Sequence, residues 1–232
     1  MNSDVHPPDK WLSLGFALMG GYGDAAGFVL AKTFTGHVTG SLVLAPISLL
    51  AHDWRAASAH LSAVACFLAG IPLSVLVARL SAAWPFRQTL TTVLVLEAIL
   101  IAAAYLALAS RAASAVEIFV MCLSLALGLQ NGTFRRTGGI SVHTTYLTGM
   151  ITGLIATETE KLTFQGASGR AIALDPKFGL LCGIWVVFVL GAAMGAAAAL
   201  HFKELGILGA ALILFAIIFR NLMAVSRTRP AS

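Results

Sequence analysis

Residues 11–31 read WLSLGFALMGGYGDAAGFVLA, an apolar run of 21 positions with a single charged side chain, Asp24. About 20 such residues form a helix that crosses the ~30 Å hydrocarbon core of a bilayer. The run is longer than the roughly 7–15 apolar residues of a signal sequence, and two aspartates and two prolines precede it. It therefore predicts a first membrane span that is not cleaved.

The composition of the whole chain indicates the same class of protein. Of its 232 residues, 58% are apolar and 11% are charged, and the mean hydropathy is +0.88. A soluble domain carries roughly 25% charged residues, so these few charges could not cover a surface in water. Soluble enzymes, disulfide-rich secreted proteins and disordered chains are excluded. The lipid bilayer is the expected partner.

Charge and cysteine content indicate neither a nucleic acid partner nor a cofactor. The net charge of +5 is scattered between apolar blocks, which favours orientation in the membrane over nucleic-acid binding. The three cysteines lie inside apolar stretches without metal-ligand spacing, so we predict no metal and no cofactor.

The apolar stretches predict an all-α, polytopic membrane helix bundle that forms a single domain over residues 1–232. Besides residues 11–31, four stretches are long enough to cross, a fifth is shorter but uninterrupted, and two of about 14 residues fit re-entrant helices better. We therefore expect about six full spans and two short helices, within a range of six to eight spans. In that order, the stretches are 56–78, 89–109, 114–134, 178–200; 205–219; and 38–51, 143–156.

The lysines and arginines favour this arrangement. With eight crossings, nine basic residues fall on one side and six on the other; with two re-entrant stretches, the split is eleven to four. The second split obeys the positive-inside rule better and predicts a cytoplasmic N-terminus.

The chain also has the pattern of an internal repeat. Residues 34–40 (FTGHVTG) align with residues 143–149 (HTTYLTG), and Asp24 and Gln130 stand at matching positions upstream. The repeat length is about 106–109 residues, with one copy over about 11–109 and the other over about 114–220. Three crossings in each copy would make the two halves inverted, as in many secondary transporters.

Asp24 is the first candidate for a functional residue. It lies in GGYGDAAG, residues 20–27, where four glycines at roughly 1 kcal/mol each predict a weak or broken helix. A charged aspartate at mid-membrane costs at least ~2.5–3.5 kcal/mol, so it should face a cavity or a partner. Asp24 either binds the solute or a coupling ion, or it has a structural role, satisfied by free backbone amides or by Lys32.

Gln130 and Asn131 are the polar counterpart in the second repeat. Neutral amides there, with Arg135 and Arg136 just beyond, would form an asymmetric site with Asp24 that suits a polar or anionic solute. The alternative is a solvated loop at a helix end, which explains the two arginines equally well.

Thr39 and Thr148 stand at the starts of the two short stretches. Two half-helices whose N-termini converge at mid-membrane would present positive dipole ends to an anionic solute. The alternative is that both threonines are ordinary helix caps.

Glu97 lies near the centre of an otherwise uncharged span and should therefore point into the bundle. It is a candidate for proton or ion coupling, and the alternative is a hydrogen-bonded contact between helices. His37 and His143 flank the two Thr-Gly pairs and are candidates for titration near neutral pH, as histidine is in general. Neither is part of a helical metal-binding pattern.

Several of these motifs are similar to those of one family. Their pattern resembles the YoaK family of multipass bacterial inner-membrane proteins, a domain of unknown function, over about residues 15–200. One departure is Ser41, where the family usually has asparagine, and a ligand contact there would be altered. The resemblance implies a bacterial cytoplasmic membrane protein and names no reaction or substrate. The matching motifs are Gly23-Asp24-Ala25, Phe34, Thr39-Gly40, Gln130-Asn131-Gly132 and Thr144-Thr145-Tyr146-Leu147-Thr148-Gly149.

Together these observations favour a secondary transporter or permease for a small polar or anionic solute, and not an enzyme. Asp24, Thr39, Gln130, Asn131 and Thr148 would bind the solute, and Glu97 with Asp24 would couple transport to an ion. A non-catalytic membrane partner protein is the alternative. An intramembrane enzyme that uses Asp24 or Glu97 with His37 is less favoured, and a homo-oligomer is compatible with the sequence.

Overall fold

The computed structural model describes residues 10–134, 147–166 and 176–227, and this part of the chain is all-helical, with no strand. The predicted all-α class is therefore confirmed. The helices are α1 (Lys10–Ala31), α2 (Val38–Leu50), α3 (Trp54–Leu80), α4 (Phe86–Ser110), α5 (Ala115–Phe134), α6 (Leu147–Gly166), α7 (Pro176–Phe202), a 3₁₀ helix (Lys203–Ile207) and α8 (Leu208–Arg227).

Five helical stretches are long and apolar enough to cross a membrane. Four of them lie in α1, α3, α4 and α5, and the fifth, Phe178–Met223, contains both α7 and α8. Its 46 residues would extend about 69 Å as one helix, more than twice the hydrocarbon core. The stretch instead turns at Lys203, whose φ is 52°. The outer helix faces keep large apolar side chains exposed, which suggests contact with a lipid bilayer.

The short helices differ in how well the sequence predicts them. α2 has 13 residues and begins where the apolar stretch 38–51 predicts. α6 has 20 described residues, Leu147–Gly166, and it continues ten residues beyond the predicted end of the stretch 143–156. Its second half contains Glu158, Glu160 and Lys161, which are good helix formers although they are polar. Residues 143–146 lie outside the described part of the chain.

The glycines of α1 do not break it, contrary to the prediction. The helix runs without interruption from Lys10 to Ala31, because packing against α7 compensates for the low helix propensity of glycine. A methyl group on Gly21 would overlap the carbonyl oxygen of Phe188, and one on Gly191 would overlap that of Leu18. Glycine at these positions allows the two backbones to touch.

α3 and α5 form a second close crossing of the same kind. A methyl group on Gly128 would overlap the carbonyl oxygen of Phe67, and Gly70 faces the backbone of α5. Nε of Arg55 donates to Oε1 of Glu117 at 2.9 Å, which joins the first turns of the two helices. α3 and α5 therefore run in the same direction.

Polar contacts join the start of α1, the start of α4 and the end of α8. The side chain of Arg87 in α4 donates to Oδ1 of Asn221 in α8 at 3.1 Å. The guanidinium of Arg220 lies 5.2 Å from the ring centroid of Trp11 in α1. These three helix ends therefore lie at one end of the bundle.

Candidate functional site

Asp24 accepts hydrogen bonds from the backbone of the loop that leads into α2. Its Oδ1 atom accepts hydrogen bonds from the backbone N–H groups of Thr35 and Gly36, each at 2.8 Å, and from that of His37 at 3.4 Å. These three N–H groups belong to the loop residues directly before α2, whose first residue is Val38, and His37 provides no side-chain cap for the helix. A carboxylate from the preceding helix thus satisfies the backbone of the loop that leads into α2.

The second carboxylate oxygen pairs with the imidazole of His37. Asp24 Oδ2 lies 2.6 Å from His37 Nδ1, and the two form an ion pair when the imidazole is protonated. Hydrogen bonding to Asp24 raises the pKa of His37, while desolvation acts in the opposite direction. The ring centroid of His37 lies 5.9 Å from those of Phe34 and Phe188. Within the described part of the chain, Asp24 pairs with His37 and not with Lys32.

The loop between α1 and α2 is tightly packed around this pair. The rings of Phe28 and Phe34 stack with centroids 4.5 Å apart, and the buried hydroxyl of Ser41 donates to the carbonyl oxygen of Phe34 at 2.7 Å. A methyl group on Gly27 would lie 2.8 Å from Thr35 Oγ1, a buried hydroxyl without a hydrogen-bond partner among the described residues. Ser41 therefore joins the first turn of α2 to the loop.

Thr39 does not cap α2. It is the second residue of the helix and it is exposed, and the residue in the N-cap position is His37. Its part in solute binding stays a prediction. Thr148 is likewise the second residue of α6, but its side chain lies outside what the structure describes, as do Arg135, Arg136 and His143.

Gln130 and Asn131 are buried in α5, which continues through them to Phe134. The helix is therefore continuous at this position, as the predicted stretch 114–134 requires. Gln130 Nε2 donates to the carbonyl oxygen of Phe16 at 2.9 Å, and Asn131 Nδ2 donates to that of Leu127 at 3.0 Å. Gln130 Oε1 is buried without a hydrogen-bond partner among the described residues.

The structure brings some of the predicted residues together and separates others. Asp24 meets His37, which the sequence placed with it only in the enzyme alternative. Gln130 instead reaches α1 at Phe16, eight residues and about 12 Å along the helix axis from Asp24. A single site that includes both side chains would need a solute or waters to connect them.

Glu97 is fully buried at the middle of α4, so the prediction that it points into the bundle is confirmed. Neither of its carboxyl oxygens has a hydrogen-bond partner among the described residues. The core residues Leu94 and Ile101 lie on the same face of the helix. Glu97 is therefore a buried polar group in an apolar setting, and its coupling role stays a prediction.

The partners of Asp24, the backbone N–H groups of residues 35–37, were not predicted from the sequence. The available signal was the Thr-Gly-His segment that follows the first span, since successive N–H groups in such a loop can form an anion-binding concavity. In the described part of the chain, no three His, Cys, Asp or Glu residues cluster in a way that could hold a metal ion.

The comparisons with known proteins give a family but no activity. A comparison with curated proteins finds no match, and one with solved structures finds none either. The sequence model of DUF1275, described as a protein of unknown function, matches residues 12–220. Because this match covers most of the 232 residues, the chain belongs to the DUF1275 family.

Proposed function

We propose that this protein is a secondary permease of the bacterial cytoplasmic membrane that carries a small polar or anionic solute. The YoaK-like motifs are consistent with its membership of DUF1275. One observation carries the proposal: the two close helix crossings repeat each other residue by residue, as expected for two inverted halves of a transporter.

The correspondence between the crossings is detailed. α1 of the first half packs on α7 of the second, and α5 of the second half packs on α3 of the first. In both crossings, a glycine of one helix faces a phenylalanine carbonyl, and a glycine of the other faces a leucine carbonyl. The corresponding residues are Leu18 and Leu125, Gly21 and Gly128, Phe67 and Phe188, and Gly70 and Gly191.

The described contacts support six crossings with opposite orientation of the two halves. The starts of α1 and α4 lie at the same end of the bundle, as six crossings require, whereas eight crossings would place them at opposite ends. If α2 and α6 do not cross, α1 and α5 traverse the membrane in opposite directions. The same count leaves eleven basic residues on the side of the N-terminus and four on the other, which supports a cytoplasmic N-terminus.

The start of α2 is the proposed solute site. Successive backbone N–H groups in a loop directly before a helix form a concave anion-binding site, and Asp24 is the anion that now occupies the one at residues 35–37. In our proposal, an anionic group of the solute replaces the Asp24 carboxylate when Asp24 takes up a proton. His37, which shares a hydrogen bond with Asp24, is placed to exchange that proton.

The second half contributes differently to the proposed mechanism. If Gly21 corresponds to Gly128, Asp24 corresponds to Asn131, one position further along than the sequence alignment with Gln130 suggests. A neutral amide in place of a carboxylate leaves one exchangeable anion site per chain. Glu97 is the second proposed coupling group, because a charged carboxylate in its apolar surroundings would have no compensating partner.

Transport by proteoliposomes tests this proposal. Vesicles that contain the purified protein and an internal pH dye are diluted into phosphate, sulfate, acetate, lactate or glutamate, with protein-free vesicles as background. We expect one class of anion to produce protein-dependent proton flux, and Asp24→Asn and Glu97→Gln to reduce that flux at least about tenfold. Asp53→Asn is the matched control, since Asp53 is an exposed cap of α3.

Two results would overturn the permease proposal. One is flux no greater than in protein-free vesicles for every anion, and the other is equal flux through the wild type and both variants. The alternative, a non-catalytic membrane partner protein, is favoured by the engagement of both Asp24 carboxylate oxygens in hydrogen bonds to residues 35–37. That alternative predicts a second protein in stoichiometric amount when the chain is purified gently from its native membrane.

A further inference from the structure

A cavity of about 650 Å³ lies between the first half of α1 and α8, away from Asp24 and Glu97. Its walls are mostly apolar and include Leu14 and Leu18 of α1 and Ile213 of α8. Trp11 is 65% exposed and Leu212 is 71% exposed, and both line the cavity. The rim of the cavity therefore faces the lipid around the bundle.

The charged groups of the cavity are gathered at one end, where Arg87 and Arg220 line it. Buried Asn221 fixes the position of Arg87: its Nδ2 donates to the Arg87 carbonyl oxygen at 2.9 Å, and its Oδ1 accepts from the Arg87 side chain at 3.1 Å. Arg220 lies against the ring of Trp11. The described lining residues include no acidic side chain, so this end of the cavity carries positive charge.

We propose that this cavity binds an acidic phospholipid. The phosphate group lies on Arg87 and Arg220, and an acyl chain lies along the apolar walls formed by α1 and α8. A guanidinium group has five N–H donors in a planar arrangement that suits phosphate oxygens. Basic pockets between membrane helices on the cytoplasmic side bind acidic lipid headgroups, and tryptophan is typical of the membrane interface.

The shape of the cavity favours a lipid over a free anion. The lining of α1 extends from Trp11 to Leu18, about 10 Å along the helix, and it is apolar beyond the arginines. A free phosphate ion would contact the arginines and leave this apolar length unoccupied. The lipid accounts for both parts, and none of the residues of the proposed solute site takes part.

Native mass spectrometry of the full chain in detergent tests the proposal. Phosphatidylglycerol and phosphatidylcholine with identical acyl chains are titrated against the delipidated protein. We expect phosphatidylglycerol to bind about tenfold more tightly, because both lipids carry the phosphate but the quaternary ammonium of phosphatidylcholine cancels its charge and is repelled by the two guanidinium groups. Arg87→Gln combined with Arg220→Gln should remove this preference. Arg220→Gln alone, at an exposed side chain, carries the same test if the double variant does not fold.

Two further variants and a competition with inorganic phosphate distinguish a bound lipid from a bound free anion. Arg79→Gln changes an exposed arginine outside the cavity lining and should leave the preference intact. Ala216→Phe fills part of the cavity between the arginines and Leu212 and should weaken both lipids. The proposal is overturned if the two lipids bind equally, if the arginine variants keep the preference, or if millimolar inorganic phosphate displaces phosphatidylglycerol. It stands or falls independently of solute transport.

Discussion

Replacing Asp24 with alanine should destabilise the protein more than loss of the Asp53 cap of α3 does. The substitution removes the acceptor of three backbone N–H groups and the partner of His37. A buried donor left unsatisfied costs about 1–3 kcal/mol. His37 is partly exposed, so water can satisfy some of the released groups. We expect a loss of about 3–5 kcal/mol in the free energy of unfolding.

Thermal unfolding in detergent, followed by tryptophan fluorescence, measures this effect. For a chain of this size, about 2–4 °C per kcal/mol predicts a fall in Tm of roughly 10 °C. Asp53→Ala is the matched control, because Asp53 caps α3 through one exposed hydrogen bond to the N–H of Ala56 at 2.9 Å. It should cost about 1 kcal/mol. Asp24→Asn keeps an acceptor for the N–H groups and should lie between the wild type and Asp24→Ala.

Hydrogen exchange of the backbone amides shows which part of the structure Asp24→Ala destabilises. The amides of residues 35–37 should exchange much faster in Asp24→Ala, while those at the centre of α4 should not change. If Asp24→Ala and Asp53→Ala lowered Tm equally, or if the amides of residues 35–37 kept their protection, the stabilising role assigned to the hydrogen bonds of Asp24 would be refuted.

Three further predictions follow from other contacts. Gly128→Ala should lower the free energy of unfolding by about 1–3 kcal/mol, because the added methyl group overlaps the Phe67 carbonyl oxygen. Gly153→Ala adds a methyl group in open space and should raise the free energy of unfolding by about 0.5–1 kcal/mol. Thermal unfolding should therefore shift Tm in opposite directions for the two variants. The pKa of His37 is raised in the folded protein, so its pairing with Asp24 stabilises the folded state fully below the usual pKa near 6.5. This stabilisation is lost as pH rises through the raised pKa, and Tm should fall over that range. A similar fall of Tm in His37→Gln would contradict this prediction. Glu97→Met should keep or raise Tm, because no hydrogen bond to a described residue is lost. A loss of more than about 2 kcal/mol in the free energy of unfolding would contradict this and indicate a hydrogen-bond partner of Glu97.

Hydropathy predicted most of the helices because apolar length is a property of the local sequence. The ends of α1 and α2 lie within a residue of the predicted ones. The break expected at the glycines of α1 was wrong, since helix propensity is local while the contact of Gly21 with α7 comes from far along the chain. α6 was cut too short because its polar half is helical without being apolar.

The candidate site was predictable in part. The cost of a charge inside a membrane led to Asp24 and Glu97, and both are buried. The partners of Asp24 were not predictable, because they are backbone N–H groups that any residue type could supply. The direction in which the loop folds back onto α1 decides which of them it reaches, and this depends on packing between Phe28 and Phe34.

The pairing of α1 with α7 has a consequence for how the chain is made. About 170 residues separate Gly21 from Gly191, and at about 5–20 residues per second α1 waits roughly 10–35 s in the membrane before its main partner is synthesised. Asp24 is protected much earlier, since the N–H groups that it binds follow only 11–13 residues later. These hydrogen bonds can thus lower the cost of placing the Asp24 carboxylate in the membrane during insertion. By the same logic, neither half should assemble when it is produced without the other, because each half supplies the surface on which the other's first helix rests.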